Sequence, residues 1–437
     1  MRAHNWYYLV VEFHSGFHSI SFISRPASSR TMFDNDDDLV LILALRRYYQ
    51  LNNPDGDAVR PHSRYRKDFI RRLNKYKRRI RRRYIPRPSL HLPSMSAWRV
   101  LYLARQDQAL ITLTGIDFAT FDYLAPKFEG WYNRYTPWTD LVEGKIMPVE
   151  EKRGRKRLLH AMDCMALALA WTRTRGSTMI LSMVFGITST PLAMYIRFGR
   201  RILSTVLSRE PDAAIRVPTD EAIQQMMDAF GPRHPDLGNV WCTVDGLKLT
   251  IQKAPVKSVE NRFFNSWTHG HYVGNVFVFC PDGTIPICCM NVPGSVHDSK
   301  IAEWGNIYEK LEAVYQRVGG KCVADSAFCA LTNPYIIKSG NIAPADMEGE
   351  LHHVEHARRV NAQATSARQS AEWGMRALQA SFPRLKDKFS YEEGGERKRM
   401  LKFVVLLYNF RARRVGINQI RSVYFPYLEI NPVHVFN

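Results

Sequence analysis

Three acids stand where their side chains could hold divalent cations against a phosphate group. Asp245 closes the apolar run Val240-Trp241-Cys242-Thr243-Val244, Asp325 closes Lys321-Cys322-Val323-Ala324, and Glu372 lies inside 367–376, whose composition reads as a helix. Carboxylates suit Mg²⁺, a hard cation that prefers oxygen and keeps several of its waters. Two such ions roughly 3.5–4 Å apart clamp a phosphodiester, one activating the attacking oxygen and one the leaving oxygen. Each acid also has a plainer reading. Asp245-Gly246 is a turn dipeptide, and Asp325-Ser326 is able to cap a following segment. Glu372 sits four residues from both Arg368 and Arg376, ordinary ion-pair spacing on a helix. Their joint occurrence, in this order and on these elements, favours the metal site.

The elements that must position these acids follow from periodicity. Past Pro235 the pattern becomes strand-like: Val240–Val244, then Tyr272–Phe279, then Thr284–Met290, with the turn signal Cys280-Pro281-Asp282-Gly283 between the last two. His297-Asp298-Ser299 begins a helix expected to run to about Gln316 and to end at Gly319-Gly320. Lys321–Ala324 is a fourth strand and Pro334–Lys338 a short fifth, followed by helices over about 351–380 and 396–414. Three antiparallel strands, a helix, a parallel strand and trailing helices is the order of an RNase H-like fold, an α/β class with a mixed five-stranded sheet and flanking helices. In that order the first and fourth strands are neighbours, so Asp245 and Asp325 share a cleft. Ala371, Met375 and Leu378 turn the Glu372 helix inward. Asp298 competes as the second acid but follows the third strand, so Asp298 and His297 are taken as neighbours that support the site.

Residues 96–235 are helical in pattern. Phe121, Leu124, Phe128 and Trp131 recur at one-face spacing, and Leu158–Trp171 is a long apolar helix. Met179–Phe185, the break Gly186-Ile187-Thr188-Ser189-Thr190, and a second helix with Pro191 in its first turn outline a helix-turn-helix. That helix carries Arg197, Arg200 and Arg201 as candidate DNA contacts, with Arg368 and Arg376 beside the acids. Residues 64–87 hold thirteen basic side chains and one acid, Asp68. Within them Lys75, Lys77, Arg78, Arg79, Arg81, Arg82 and Arg83 form a phosphate-tracking arm, a nuclear import signal, or a solvated tail. The expected organisation is a basic, partly disordered extension over 1–95, an all-helical DNA-binding domain over 96–235, and an RNase H-like nuclease domain over 236–437.

Composition bounds the class of partner. The 61 Lys+Arg against 41 Asp+Glu give a formal charge of +20, which favours polyanions. Seven cysteines without CxxC or finger spacing fit a reducing compartment better than a disulfide framework. No apolar run approaches the ~20 residues that span a bilayer, so no membrane partner is expected. The first thirty residues make a poor signal segment and read as a non-structural extension, with Met32 an alternative start. His352 and His356, with His353 between them, have i, i+4 zinc spacing but lack a third ligand. Asn261–His271 mixes aromatic, basic and amide side chains that suit either distorted DNA or hairpin packing.

Taken together, Val244-Asp245-Gly246, Asn291–Ser299, Ala324-Asp325-Ser326-Ala327-Phe328 and Arg368-Gln369-Ser370-Ala371-Glu372-Trp373-Gly374 resemble the ordered motifs of PIF/Harbinger-type DDE transposases. The closing Leu407-Tyr408-Asn409-Phe410-Arg411-Ala412-Arg413 is similar to that family's C-terminal helix region, and the likeness spans roughly 155–425. It implies a helix-turn-helix ahead of an RNase H-like domain, with Asp245, Asp325 and Glu372 as catalytic, metal-holding residues. It further implies Mg²⁺-dependent excision and reinsertion of DNA bounded by inverted repeats, with Mn²⁺ as a substitute ion. The implied partner protein is a separate Myb-like DNA-binding protein, beside double-stranded DNA at element ends and target; a further copy of the chain is a candidate partner that the sequence does not decide. With the basic run over 64–87 as an import signal, the expected location is the nucleus. The competing expectation is a host-retained relative that binds DNA without cutting it.

Overall fold

The computed structural model describes residues 7–11, 20–24, 85–139, 146–148, 157–328, 333–340 and 351–425. The basic arm from Lys75 to Arg83 lies outside the described residues. The chain divides into two compact units, residues 1–83 and 84–437. In the first, β1 (Tyr7–Val11) pairs antiparallel with β2 (Ile20–Ser24). Both strands are rich in the aromatic and β-branched residues that favour extended backbone, within the stretch the sequence reads as an extension.

The second unit opens with helices α1 (Ala97–Ala104), α2 (Asp107–Thr114) and α3 (Phe118–Arg134). Asp117 caps α3 by accepting the Thr120 N–H at 2.8 Å. Strands β3 (Tyr135–Thr139) and β4 (Ile146–Pro148) pair with each other. Helix α4 (Ala161–Arg173) is buried nearly all round. Helix α5 (Met179–Phe185) ends at Gly186 in the left-handed conformation, φ +66°. Helix α6 (Ser189–Leu207) then leaves at 87° to α5. It crosses close to α4 at Gly199, where a Cβ would lie 2.9 Å from that of Ala168. Helix α7 (Asp220–Phe230), capped by Thr219, leads to the sheet.

The sheet is built from β5 (Val240–Thr250), β7 (Gly270–Phe279), β8 (Ile287–Pro293), β9 (Lys321–Asp325) and β10 (Ile336–Ser339), with the two-residue β6 (Phe264–Asn265) also on β7. Helix α8 (Lys257–Phe263) intervenes between β5 and β6. The order across the five longer strands is β8-β7-β5-β9-β10, antiparallel through the first three and parallel through the last three. This is a mixed α/β architecture. Two differences from the sequence reading matter. Strand β5 does not stop at Val244 but runs to Thr250, because β7 pairs with it throughout, Asp245 opposite Phe277 and Gly246 opposite Val276. The Asp-Gly pair is therefore extended, not a turn. The helix after His297 is in fact two, α9 (Asp298–Trp304) and α10 (Ile307–Val318), broken where Asn306 adopts φ +51° and Gly305 abuts Cys289.

Two apolar layers sandwich the sheet. One continues into the helical region and lies under helices α11 (Leu351–Ser381) and α12 (Gly394–Arg414); the other lies under α7, α9 and α10. The last helix is α13 (Gln419–Tyr424). Asn409 stitches these parts together, accepting the Ile285 N–H at 2.8 Å and donating to the carbonyls of Ile285 (2.9 Å) and Ala214 (3.1 Å).

Candidate active site

Side chains alternate along β5. Val244 packs into the layer under α9 and α10, whereas the Thr243 hydroxyl meets that of Ser370 on α11 at 2.9 Å. Asp245 therefore projects on the α11 side. The same alternation along β9 buries Cys322 and Ala324 in the α9–α10 layer and Val323 in the other, so Asp325 faces the same side as Asp245. Parallel pairing of these strands ends at Val244 and Ala324. The two acids thus sit just past the end of one ladder, on one face.

Glu372 reaches this face from α11, whose inward stripe is Ala364, Ala367, Ser370, Ala371, Gly374 and Leu378. Gly374 lets the helix come close: any Cβ there would overlap the Phe279 ring on β7. The stripe of small residues holds Glu372 near the sheet, half-buried.

The carboxylates are tied down individually. Asp245 accepts the Gly246 N–H at 2.7 Å and Asp325 the Ser326 N–H at 2.6 Å. Arg368, one turn before Glu372, bridges two of the acids, with N–O distances of 3.3 Å to Asp325 and 3.2 Å to Glu372. Arg376 adds a looser contact to Glu372 at 3.7 Å and is largely exposed. Burial pushes the Asp245 carboxyl up to about 6; the Gly246 N–H and Arg368 oppose this, and the charges of Asp325 and Asp298 add to it.

Asp298 approaches from the other layer, at the start of α9. Its carboxylate lies against Gly246, where a Cβ would overlap it. Burial raises this carboxyl too, opposed by Lys248 and His297 and reinforced by Asp325. His297 is exposed. Lys248, two residues beyond Gly246 on its side of β5, passed unnoticed in the sequence; the i, i+2 period of a strand running past Asp245 was the signal that marks it.

The remaining candidates lie elsewhere. Arg197 is exposed on α6. Arg200 and Arg201 turn inward to Glu396 at 3.6 and 3.8 Å, and Arg200 stacks on Trp171 at 4.3 Å. His352, His353 and His356 are all exposed at the start of α11. Asn261–Phe263 close a helix, not a hairpin, and Trp267 stands 87% exposed between β6 and β7. Among the described residues no group of three or more His, Cys, Asp and Glu side chains is gathered closely enough to hold a metal ion, and no single helix is long and apolar enough to cross a membrane. The donor chemistry of the three acids nevertheless fits a hard divalent cation. The guanidinium of Arg368 lies between two of them.

Asp245 within β5 and Asp325 at the end of β9 thus share the face that α11, with Glu372, covers. Residues 244–409 match the family model of the DDE superfamily endonucleases, a span that begins beside Asp245, includes Asp325 and Glu372, and ends at Asn409. No curated protein and no solved structure matches the chain.

Proposed function

We propose that this chain is a divalent-metal-dependent DNA endonuclease and strand-transferase of transposase type, within the PIF/Harbinger group, acting in the nucleus on double-stranded DNA. One observation carries the reading: Asp245 and Asp325 share a face at the end of the β5–β9 ladder, and Arg368 links Asp325 to Glu372 on α11. The strand order, with three antiparallel strands followed by two parallel ones, supports an RNase H-like fold beneath the site.

Asp245, Asp325 and Glu372 are the residues that would hold Mg²⁺, or Mn²⁺ in its place. When bound, the ions supply an activated water or 3′-hydroxyl and neutralise charge on the scissile phosphate. The chain's own groups do the positioning. With its carboxyl at about 6, Asp245 is ionised at neutral pH, and the Gly246 N–H fixes one of its oxygens. The Ser326 N–H does the same for Asp325. No Ser or Tyr nucleophile is needed for strand transfer of this kind. Helices α5 and α6, crossing at 87°, support a helix-turn-helix reading in which exposed Arg197 meets duplex phosphate or a base edge. A Myb-like DNA-binding protein and a second copy of the chain belong to the same proposal as partners.

Nicking and joining of supercoiled plasmid by the purified protein in Mg²⁺ or Mn²⁺, beside Asp245→Asn and Glu372→Gln, tests it. Metal-dependent cutting by the wild type, lost in both variants, is the expected result. Equal activity in all three proteins sinks the assignment. Tight duplex binding without cutting, including after the Myb-like protein is supplied, favours the non-cutting relative.

A further inference from the structure

Arg368 is placed unlike the other cations near the acids. It projects from α11 one turn before Glu372 and spans from helix to strand, reaching Asp325 at the end of β9 at 3.3 Å and Glu372 at 3.2 Å. Its side chain is 27% exposed, against 76% for Arg376. Around it the carboxylate oxygens are already engaged. Glu372 gives Oε1 to Arg368 and Oε2 to Arg376. Asp325 gives Oδ1 to Ser326 and Oδ2 to Arg368. Helix α11 is fixed against the sheet by the Thr243–Ser370 hydrogen bond and the close approach at Gly374, so the guanidinium is delivered to this spot by packed backbone.

We propose that Arg368 is the built-in counter-ion of the site: its guanidinium holds Asp325 and Glu372 together without metal, and a divalent cation must displace it to reach them. The inference rests on the metal-nuclease reading and adds to it a residue that sets how much metal the site requires. The physical reason is charge. Two carboxylates drawn toward one point repel each other unless a cation lies between them, and a planar guanidinium with several donors can serve two carboxylates at once. Arg368 thereby keeps the acids assembled, and in doing so competes with the metal for the same oxygens.

A residue that merely supported the fold would weaken metal binding when removed; a competing counter-ion has the opposite sign. The experiment is calorimetric titration of Mn²⁺ into the metal-stripped full chain as wild type, Arg368→Gln, Arg368→Lys and Arg376→Gln, with melting temperatures in chelator and in Mn²⁺. Arg368→Gln is expected to bind Mn²⁺ roughly three- to tenfold more tightly, an effect moderated by the partial exposure of the pair. Its melting temperature falls in chelator and gains more from Mn²⁺ than that of the wild type. Arg368→Lys, which keeps the charge but not the two-armed bridge, falls between the two and carries the test alone if the Gln variant does not fold. Arg376→Gln changes affinity less than about twofold. Equal or weaker Mn²⁺ binding by the Arg368 variants overturns the inference while leaving the nuclease reading standing, as does a gain in Arg376→Gln as large as that in Arg368→Gln. If none of the proteins binds Mn²⁺, the metal-nuclease reading falls and the inference with it.

Discussion

Asp245 carries its charge in a place that resists it. Its carboxyl sits at about 6 because burial disfavours the ionised form, against roughly 3.9 in an unfolded chain. A native value above the unfolded one means the folded state binds more protons between about pH 4 and 6. The stability this confers is complete below pH 4 and is lost as pH rises through 6. Two units of difference correspond to about 3 kcal/mol, and partial exposure reduces the expectation to about 1–2 kcal/mol. Asp245→Asn removes the penalty. In chelator at pH 7.5 it should therefore be more stable than wild type by that amount, and at pH 4 indistinguishable from it, as read by urea unfolding at both values. An advantage of the same size at both pH values contradicts the burial argument. Adding Mn²⁺ at pH 7.5 should stabilise the wild type and not the variant, since bound cation repays the charge that burial penalises.

Helix α11 shows how an element aims a residue. Its small inward residues let it lie close on β7, and at Gly374 the Phe279 ring leaves no room for a Cβ. Gly374→Ala should cost about 1–3 kcal/mol by overpacking, despite the better helix propensity of Ala. Phe279→Leu, which makes room, should recover part of that cost in a double-mutant cycle, with a coupling of at least about 0.5 kcal/mol; purely additive losses would mean the contact is not the cause. At this scale much was readable beforehand. Alternating and continuous apolar runs marked the strands, and the Asp245, Asp325 and Glu372 positions could be assigned to elements because each closes or punctuates such a run. What could not be read depends on partners distant in the chain. Strand β5 continues through Asp245-Gly246 only because β7 pairs with it there. Helices α9 and α10 part at Asn306 where Gly305 meets Cys289. Arg368 reads as an i, i+4 partner of Glu372, and nothing local reveals its second contact with Asp325.

Over the whole molecule the formal charge of +20 overstates the cationic surface left open, because several described arginines of the second unit are structural. Arg411 donates to the Gly115 carbonyl at 2.8 Å, Arg413 to that of Asp212 at 2.8 Å, and Arg414 pairs with the Asp212 carboxylate at 2.6 Å. All three bind α12 to the helical region. Arg200 and Arg201 are likewise committed to Glu396. Arg197, by contrast, lines a groove of about 380 Å³ with Ser189, Thr190, Ala193 and Met194 at the exposed start of α6. Composition counts these side chains alike; only packing separates them. Their replacement should separate them too. Phosphate contacts are read from the fall of log K with log salt, each contributing a slope of about one. Arg197→Ala should weaken duplex binding and reduce that slope by about one while leaving the unfolding midpoint unchanged. Arg200→Ala should leave the slope alone and cost about 1–3 kcal/mol of stability, through its lost stacking on Trp171 and the lost packing of its buried stem. A slope that falls with Arg200→Ala and not with Arg197→Ala would place the duplex on another face of the molecule and remove α6 from the proposed DNA interface.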